Sequence, residues 1–124
     1  MRESAAEQVR AKRVYERPED FDGARILATR YWPRGISKEN VDEYLPVLAP
    51  SRELLYIYRQ GQLDWPRFRN QYLKEMQSEA AMAMIHRLAK AARSKVITVM
   101  CVCADEARCH RSLLRELIAR FDEA

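Results

Sequence analysis

The apolar positions of the chain are most regularly spaced in its last third. Residues 96–102 form a short, β-branched apolar run, which predicts a strand that is buried on both faces. After a charged loop, apolar residues recur at the spacing of one helix face. These residues are Leu113, Leu114, Leu117, Ile118 and Phe121. Strand, polar turn and helix in this order direct backbone N–H groups and the positive end of the helix at an anion.

Two further segments in the first half of the chain predict strands. They cover residues 9–15 and 25–31, and the sequence between them carries the turn residues Pro18 and Asp22-Gly23. Residues 1–8 are polar and are expected to form a frayed tail.

Four segments between residues 37 and 93 are predicted to be helices. Each begins at a serine or an aspartate, whose side chain can accept a hydrogen bond from a free N–H group of the first helical turn. Pro46 is expected to end the first helix and Gly61 the second. The expected first residues of the four segments are Ser37, Ser51, Asp64 and Ser78.

The fold class follows from this order of elements. Strands at both ends of a helical middle require crossover connections, which join parallel strands and are almost always right-handed. We therefore expect an α/β fold with a small, mainly parallel sheet of about three or more strands, covered by helices. Residues 1–124 are expected to form a single domain, because this length buries an adequate core without disulfides.

Composition and charge exclude several classes of protein. The net charge of +4 permits a phosphate-bearing partner, but the sequence lacks the dense basic stripe of a dedicated nucleic-acid binder. No apolar stretch reaches the length of a membrane span, and the first residues lack the core of a signal peptide, so no membrane association is expected. Three cysteines clustered near the end of the chain are no disulfide framework, which favours the reducing cytoplasm.

The segment after the last predicted strand carries the strongest candidate chemistry. Cys109 lies at the predicted helix start, next to His110 and between two arginines. These surroundings are expected to lower the pKa of the Cys109 thiol and to favour a nucleophilic thiolate, with His110 moving protons. The alternative is that Cys109 is a small residue filling a tight turn. Cys101 is predicted to fill the core. Cys103 is nearer the end of the strand and could act as a resolving thiol for Cys109.

Two other chemistries fit these cysteines poorly. In the phosphate loop of tyrosine phosphatases about five residues lie between the cysteine and the arginine. Counted from Cys103, the position of the arginine is taken by Cys109, and Arg108 comes one residue too early. A zinc site built from the three cysteines and His110 has suitable ligand types. However, structural zinc sites favour about two to four residues between paired ligands, and adjacent cysteine and histidine side chains are hard to direct at one metal. We therefore expect no metal and no cofactor.

Two arginine-rich segments are candidates for binding an anion. The rigid fork of arginine suits bidentate recognition of phosphate or carboxylate. Pro33 and Gly35 would shape a tight turn that exposes backbone N–H groups, although the charges nearby are equally compatible with an ordinary surface. The candidate anion-binding residues are Arg30, Arg34 and Lys38 in the first segment and Arg108, Arg111 and Ser112 in the second.

The two segments are expected to meet in one pocket. Each follows a predicted strand, and the carboxyl ends of parallel strands lie at the same edge of a sheet, where open α/β proteins bind ligands. The W-P-R-G loop and the C-H-R turn would then form two walls of one site, whereas antiparallel strands would place them apart.

These features support two main functional hypotheses. In the first, the protein is an enzyme, or a former enzyme, that acts on a small phosphorylated or nucleotide-like ligand held by the arginines. In the second, it is a non-catalytic module that uses the same pocket for nucleotide sensing or for contact with nucleic acid. A nucleic-acid-binding regulator has the least support, because no predicted helix has a basic recognition face. The sequence leaves the oligomeric state open.

Three stretches of the chain resemble a known family. They are DGARILATRYWPRGISKE, LAPSRELL and CVCADEARCHRSLL, which begin at Asp22, Leu48 and Cys101. The pattern R-x-W-P-R-G-x-S-K followed by A-P-S is similar to that of the YeaO-like family, domain of unknown function family 488, and the resemblance extends over residues 9–121. The matching residues are Arg30, Trp32, Pro33, Arg34, Gly35, Ser37, Lys38, Pro50 and Ser51.

The resemblance also covers the candidate nucleophile. Cys109-His110-Arg111 matches the terminal motif of one branch of the family, while other members have different residues there. Membership implies a compact cytoplasmic α/β domain. It implies no reaction, because the family has no established one.

Overall fold

The computed structural model describes residues 8–103 and 108–121, so most of the expected N-terminal tail lies outside the described residues. Within these ranges the chain forms four strands, four helices and three short 3₁₀ turns. The strands are β1 (Val9–Arg13), β2 (Ala24–Leu27), β3 (Glu43–Tyr44) and β4 (Ile97–Cys101). The helices are α1 (Arg52–Arg59), α2 (Trp65–Glu75), α3 (Glu79–Ala91) and α4 (His110–Ala119).

The four strands form one parallel sheet in the order β1-β4-β2-β3. Strand β4 is central: Ile97 aligns with Val9 of β1 on one side and with Ala24 of β2 on the other. All five residues of β4 are buried, as its continuous apolar run predicts. The α/β class and the parallel sheet expected from the sequence are confirmed.

Three of the four predicted helix starts are confirmed, with the expected capping bonds. The side chains of Ser51, Asp64 and Ser78 each accept a hydrogen bond from the N–H group three residues further along. Gly61 follows α1 with a φ of 73°, a conformation that favours glycine after a helix.

The helix predicted from Ser37 to Pro46 is wrong. Ser37 does cap a turn, but this turn is a 3₁₀ helix of only three residues, Lys38–Asn40, and the chain is extended again at Val41. The segment then pairs with β2 as the edge strand β3. Val41 and Tyr44 pack against the cluster that contains Leu27, so this segment covers the sheet instead of forming a helix.

The two faces of the sheet have separate cores, because alternate residues of a strand point to opposite sides. The main core lies on the helical face and contains buried residues of all four helices together with Ile26, Ile97 and Val99. The second core is small and consists of Val14, Leu27 and Met100 under loop residues. Thr98 and Met100 of β4 thus face the loops, whereas Cys101 lies on the helical face with Ile97 and Val99.

The strands end earlier than predicted, and this creates the loops of the candidate site. Strand β2 ends at Leu27, although the Ala28 N–H still donates to the Met100 carbonyl at 2.9 Å. At Thr29 the hydroxyl donates to the Tyr31 carbonyl, which turns the chain away from the sheet. This loop and residues 102–103 after β4 emerge at the same, carboxyl edge of the sheet. None of the described helices is long and apolar enough to cross a membrane.

Candidate functional site

A cavity of about 450 Å³ lies at the carboxyl edge of the sheet. Its walls include Trp32, Pro33 and Arg34 of the first loop and Cys109 and His110 at the start of α4. The predicted meeting of the W-P-R-G loop and the C-H-R turn is therefore confirmed. The volume is within the range of pockets that hold small organic ligands.

Four arginines line this cavity, and none of its described lining residues is acidic. Arg30, Arg34 and Arg108 are among the residues predicted from the sequence. The Arg30 guanidinium is held by the carbonyls of Ala49 and Pro50, each at 3.2 Å, so its position is fixed.

Arg59 is a fourth lining arginine that the sequence analysis missed. It follows Leu55 by four residues on α1, so the two side chains share a helix face and both line the cavity. The i, i+4 spacing of an apolar residue and an arginine on a short, capped helix is the signal that could have identified it.

The remaining walls of the cavity are largely aromatic. Tyr31 and Trp32 are exposed, by 56% and 38% respectively, although both are large. Trp32 is fixed by a hydrogen bond from its Nε1–H to the Ile36 carbonyl and by an edge-to-face contact with Tyr44. Phe68 of α2 is buried in the main core and also reaches the cavity, while Tyr72 of the same helix and Met76 directly after it belong to the core alone.

The floor of the cavity adjoins a cluster of three thiols and an imidazole. The ligand atoms of Cys101, Cys103, Cys109 and His110 all lie within 4.8 Å of one another. From the sequence, an adjacent cysteine and histidine are expected to be hard to direct at one metal. Here they converge because Cys109 precedes α4 in an extended conformation while His110 begins the helix, and α4 packs against the end of β4.

His110 is buried, and its ring is held in one orientation. The Nε2–H donates to the Ala28 carbonyl at 2.6 Å, since a carbonyl can only accept, and Nδ1 therefore carries the lone pair of the neutral ring. Nδ1 lies 3.9 Å from the Cys109 sulfur. Burial lowers the pKa of His110, so the imidazole is neutral at physiological pH.

Arg111 does not face the cavity but points into the thiol cluster. It is only 3% exposed, and its Nη1 donates to the Cys103 carbonyl at 2.6 Å and to the sulfurs of Cys101 and Cys109 at 3.2 and 3.6 Å. Its Nε has no hydrogen-bond partner among the described residues. No described carboxylate forms an ion pair with it, so the sulfurs are the groups in place to balance its charge.

The thiol pKa values differ from the sequence prediction. Hydrogen bonds from Cys103 and Cys109, together with Arg111, lower the pKa of the Cys101 thiol to about 2. The same hydrogen bond to Cys101 raises the pKa of Cys109 and raises that of Cys103 to about 11. The prediction of a lowered pKa on Cys109 is therefore wrong: the lowered pKa belongs to Cys101, because hydrogen bonds from Cys103 and Cys109 favour the thiolate of Cys101.

The other two predicted anion-binding residues are not in the cavity wall. Lys38 is exposed on the 3₁₀ turn, and its ammonium group is not among the lining groups. The Ser112 N–H donates to the Cys109 carbonyl at 3.2 Å, which closes the first turn of α4 rather than presenting a donor to the cavity.

Comparison with known proteins identifies relatives over most of the chain. A family model described as "DUF488-N3a: Active DUF488-N3 subclade" matches residues 9–121. The uncharacterized protein YeaO of Escherichia coli (strain K12) is 37% identical over 94 residues, which are 74% of this chain and 80% of the relative. The uncharacterized protein Rv3073c of Mycobacterium tuberculosis (strain ATCC 25618 / H37Rv) is 34% identical over 113 residues, 90% of this chain and 93% of the relative. No solved structure matches. With this match over residues 9–121, the chain belongs to the YeaO-like DUF488 family.

Proposed function

We propose that the protein is an enzyme that uses a cysteine nucleophile on a small phosphorylated or nucleotide-like ligand. One observation carries the proposal: Cys109 and His110 adjoin a cavity whose described lining has four arginines and no acidic residue. The positive charges of this lining attract an anion, and none of its described residues carries a negative charge that would repel one. The matching family model is described as an active subclade, which favours a catalytic role.

The cavity is suited to a ligand with an anionic group and a planar ring. Arg34, Arg59 and Arg108 are exposed and can close around a phosphate, while Arg30 is already positioned by its carbonyl partners. The exposed ring of Tyr31 offers a stacking surface at the cavity wall. A volume of about 450 Å³ is adequate for a nucleoside monophosphate or a sugar phosphate.

The nucleophile is generated inside the thiol cluster. In the resting site the Cys101 thiolate carries the negative charge, and transfer of the Cys109 proton to it moves that charge to the cavity wall. Arg111 stabilises both states because its Nη1 contacts both sulfurs. The Cys109 thiolate then bonds to the electrophilic atom of the ligand, and the leaving group departs with its electron pair.

His110 is the proton acceptor for the second half of the reaction. Its Nδ1 lone pair faces Cys109, and the Ala28 carbonyl holds its Nε2–H. His110 accepts the proton of the hydroxyl group that attacks the covalent intermediate. The bond between the intermediate and the Cys109 sulfur then breaks, and the electron pair of this bond returns to Cys109. Free thiols of this kind persist in a reducing compartment, which agrees with the cytoplasm as the proposed location.

A non-catalytic role in nucleotide sensing or nucleic-acid contact is the second candidate. It is favoured by the exposed Tyr31 and Trp32 beside arginines, because aromatic rings next to cationic groups can stack on unpaired bases. This alternative retains ligand affinity without a covalent intermediate, so mass spectrometry of the protein mixed with substrate candidates distinguishes the two.

The test of the proposed function is ligand protection of Cys109. Both Cys109 and Cys101 are buried, but only Cys109 lines the cavity, so iodoacetamide at neutral pH should alkylate Cys109 before Cys101. Adenosine monophosphate or ribose 5-phosphate should slow the reaction. Arg34→Ala should abolish the protection, whereas Arg69→Ala, an exposed arginine outside the cavity, should retain it. If neither phosphate protects Cys109, or if all three thiols react slowly and equally, the proposal is refuted.

A further inference from the structure

We propose that Cys101, Cys103, Cys109 and His110 form a binding site for a thiophilic divalent cation, Zn²⁺. The four side chains converge at the end of β4 and the start of α4, beside the cavity. Each supplies one ligand atom, three sulfurs and one imidazole nitrogen, a donor set typical of four-coordinate zinc.

The separations of the four ligand atoms are close to those of a filled site. In a tetrahedral zinc site with ordinary bond lengths, the ligand atoms are about 3.5–3.8 Å apart. The widest separation here is 4.8 Å, and the Cys109 sulfur is 3.9 Å from His110 Nδ1. Each pair therefore needs to contract by no more than about 1 Å to reach tetrahedral separations. Cys103 lies beyond the end of β4 and is the half-buried member of the four, so its side chain has the most freedom to adjust.

The orientation of His110 is that of a metal ligand. Histidines that bind metals usually donate their second ring N–H to a carbonyl or carboxylate, which fixes the tautomer and the ring plane. His110 donates its Nε2–H to the Ala28 carbonyl at 2.6 Å and presents the Nδ1 lone pair to the sulfurs.

Arg111 makes the filled site electrically neutral. Three thiolates carry three negative charges, Zn²⁺ two positive charges and the buried guanidinium one, so the sum is zero. Neutrality matters here because an uncompensated charge in a protein interior is strongly unfavourable. The N–H groups of Arg111 already point at two of the sulfurs, which is the outer support that zinc thiolates commonly receive.

The cavity provides the route by which the cation reaches its ligands. Cys103, Cys109 and His110 line the cavity, and Cys101 lies behind them. Soft sulfur ligands select zinc over magnesium or calcium, which prefer oxygen. A bound cation would occupy the sulfur of Cys109, so it would also inhibit the cysteine chemistry; this consequence rests on the proposed function, whereas cation binding does not.

The test is a metal titration of the full-length, reduced and metal-free protein. Co²⁺ serves as the spectroscopic probe, and Zn²⁺ affinity is measured in competition with a chromophoric chelator. We expect one ion per chain, thiolate-to-cobalt charge-transfer absorption, and the intense visible bands of a tetrahedral complex. Cys103→Ser and His110→Ala should each weaken binding by at least about tenfold.

His86→Ala is the matched control, because His86 is the other histidine of the chain and stacks on Phe121 away from the cluster. It should bind the cation as the unaltered protein does. Circular dichroism of each variant establishes that it is folded, and the half-buried Cys103 is the variant with the smaller structural risk. Absence of charge-transfer absorption in the unaltered protein, or unchanged affinity in a folded Cys103→Ser variant, would overturn the site.

The two proposals fail separately. If Zn²⁺ binds and blocks alkylation of the thiols while phosphates do not protect the metal-free protein, the cation site stands and the proposed enzyme does not. If phosphates protect Cys109 and no cation binds, the proposed enzyme stands and the cation site does not.

Discussion

Replacing Arg111 with methionine separates a ligand-binding arginine from one that belongs to the thiol cluster. Methionine keeps the length of the side chain and removes the guanidinium. The side chain is 3% exposed and donates to the Cys103 carbonyl and to two sulfurs, so the substitution acts in the interior. Arg34→Ala is the control, because Arg34 is exposed at the cavity wall.

The expected loss of stability follows from these contacts. A hydrogen bond from a charged donor contributes about 1.5–3 kcal/mol, and the Cys103 carbonyl loses one. The Cys101 thiolate loses its counter-ion but can take up a proton, and the guanidinium no longer has to be desolvated, so these effects partly offset each other. We expect a net loss of about 2–3 kcal/mol, or roughly 10 °C in Tm for a domain of this size. Arg34→Ala should stay within about 0.5 kcal/mol of the unaltered protein.

Urea unfolding at pH 7 measures the free energies, and the pH dependence of thiol alkylation measures the electrostatic role. Without Arg111, the thiolate of the cluster should appear only as the pH approaches about 8.5, the value of a free cysteine. A variant that unfolds at the same urea concentration as Arg34→Ala, with an unchanged alkylation profile, would refute the assignment of Arg111 to the cluster.

Two further predictions concern the scaffold. Gly23→Ala should destabilise the protein by about 2 kcal/mol more than Gly61→Ala in urea unfolding: both glycines have positive φ, but a Cβ at Gly23 would lie 2.1 Å from the Val96 carbonyl oxygen, whereas nothing lies within 4 Å at Gly61. Equal losses would show that only the backbone conformation matters. Asp22→Asn should cost about 3 kcal/mol at pH 7, because the carboxylate is buried between a lysine and an arginine. Burial opposes ionisation of Asp22, but its hydrogen bonds and these cations hold its pKa below the ordinary value. The carboxylate therefore stabilises the fold above about pH 4 and loses this effect as the pH falls further. The difference in free energy of unfolding between the variant and the unaltered protein should shrink by about pH 3. A difference that stays constant would refute this explanation.

The elements that the sequence predicted well are those with a strong local signal. The buried run of β4 has a composition that only a central strand tolerates, and the capping residues Ser51, Asp64 and Ser78 act within one helical turn. Strand β3 has only two residues, so its pairing with β2 leaves no periodicity in the sequence. The apolar residues around it therefore resembled a helix face.

The candidate site was predicted in place but not in detail. Parallel strands determine which loops meet, and this sufficed to bring Arg34 and Cys109 to one cavity. The direction of Arg111 depends on how α4 rotates about its axis when it packs on the sheet, which spacing alone does not determine. The location of the lowered thiol pKa depends on distances among three sulfurs, and these exist only once the chain is folded.

The position of β4 between β1 and β2 has a consequence for synthesis of the chain. Val9 can pair only after Ile97 has left the ribosome, so the sheet has a high contact order and closes late. Until then β1 has no neighbouring strand, and the apolar side of β2 is uncovered, a state in which nascent chains aggregate or engage chaperones. The segment that completes the sheet also delivers the thiols, so a nascent chain acquires its fold and its reactive cluster in the same step.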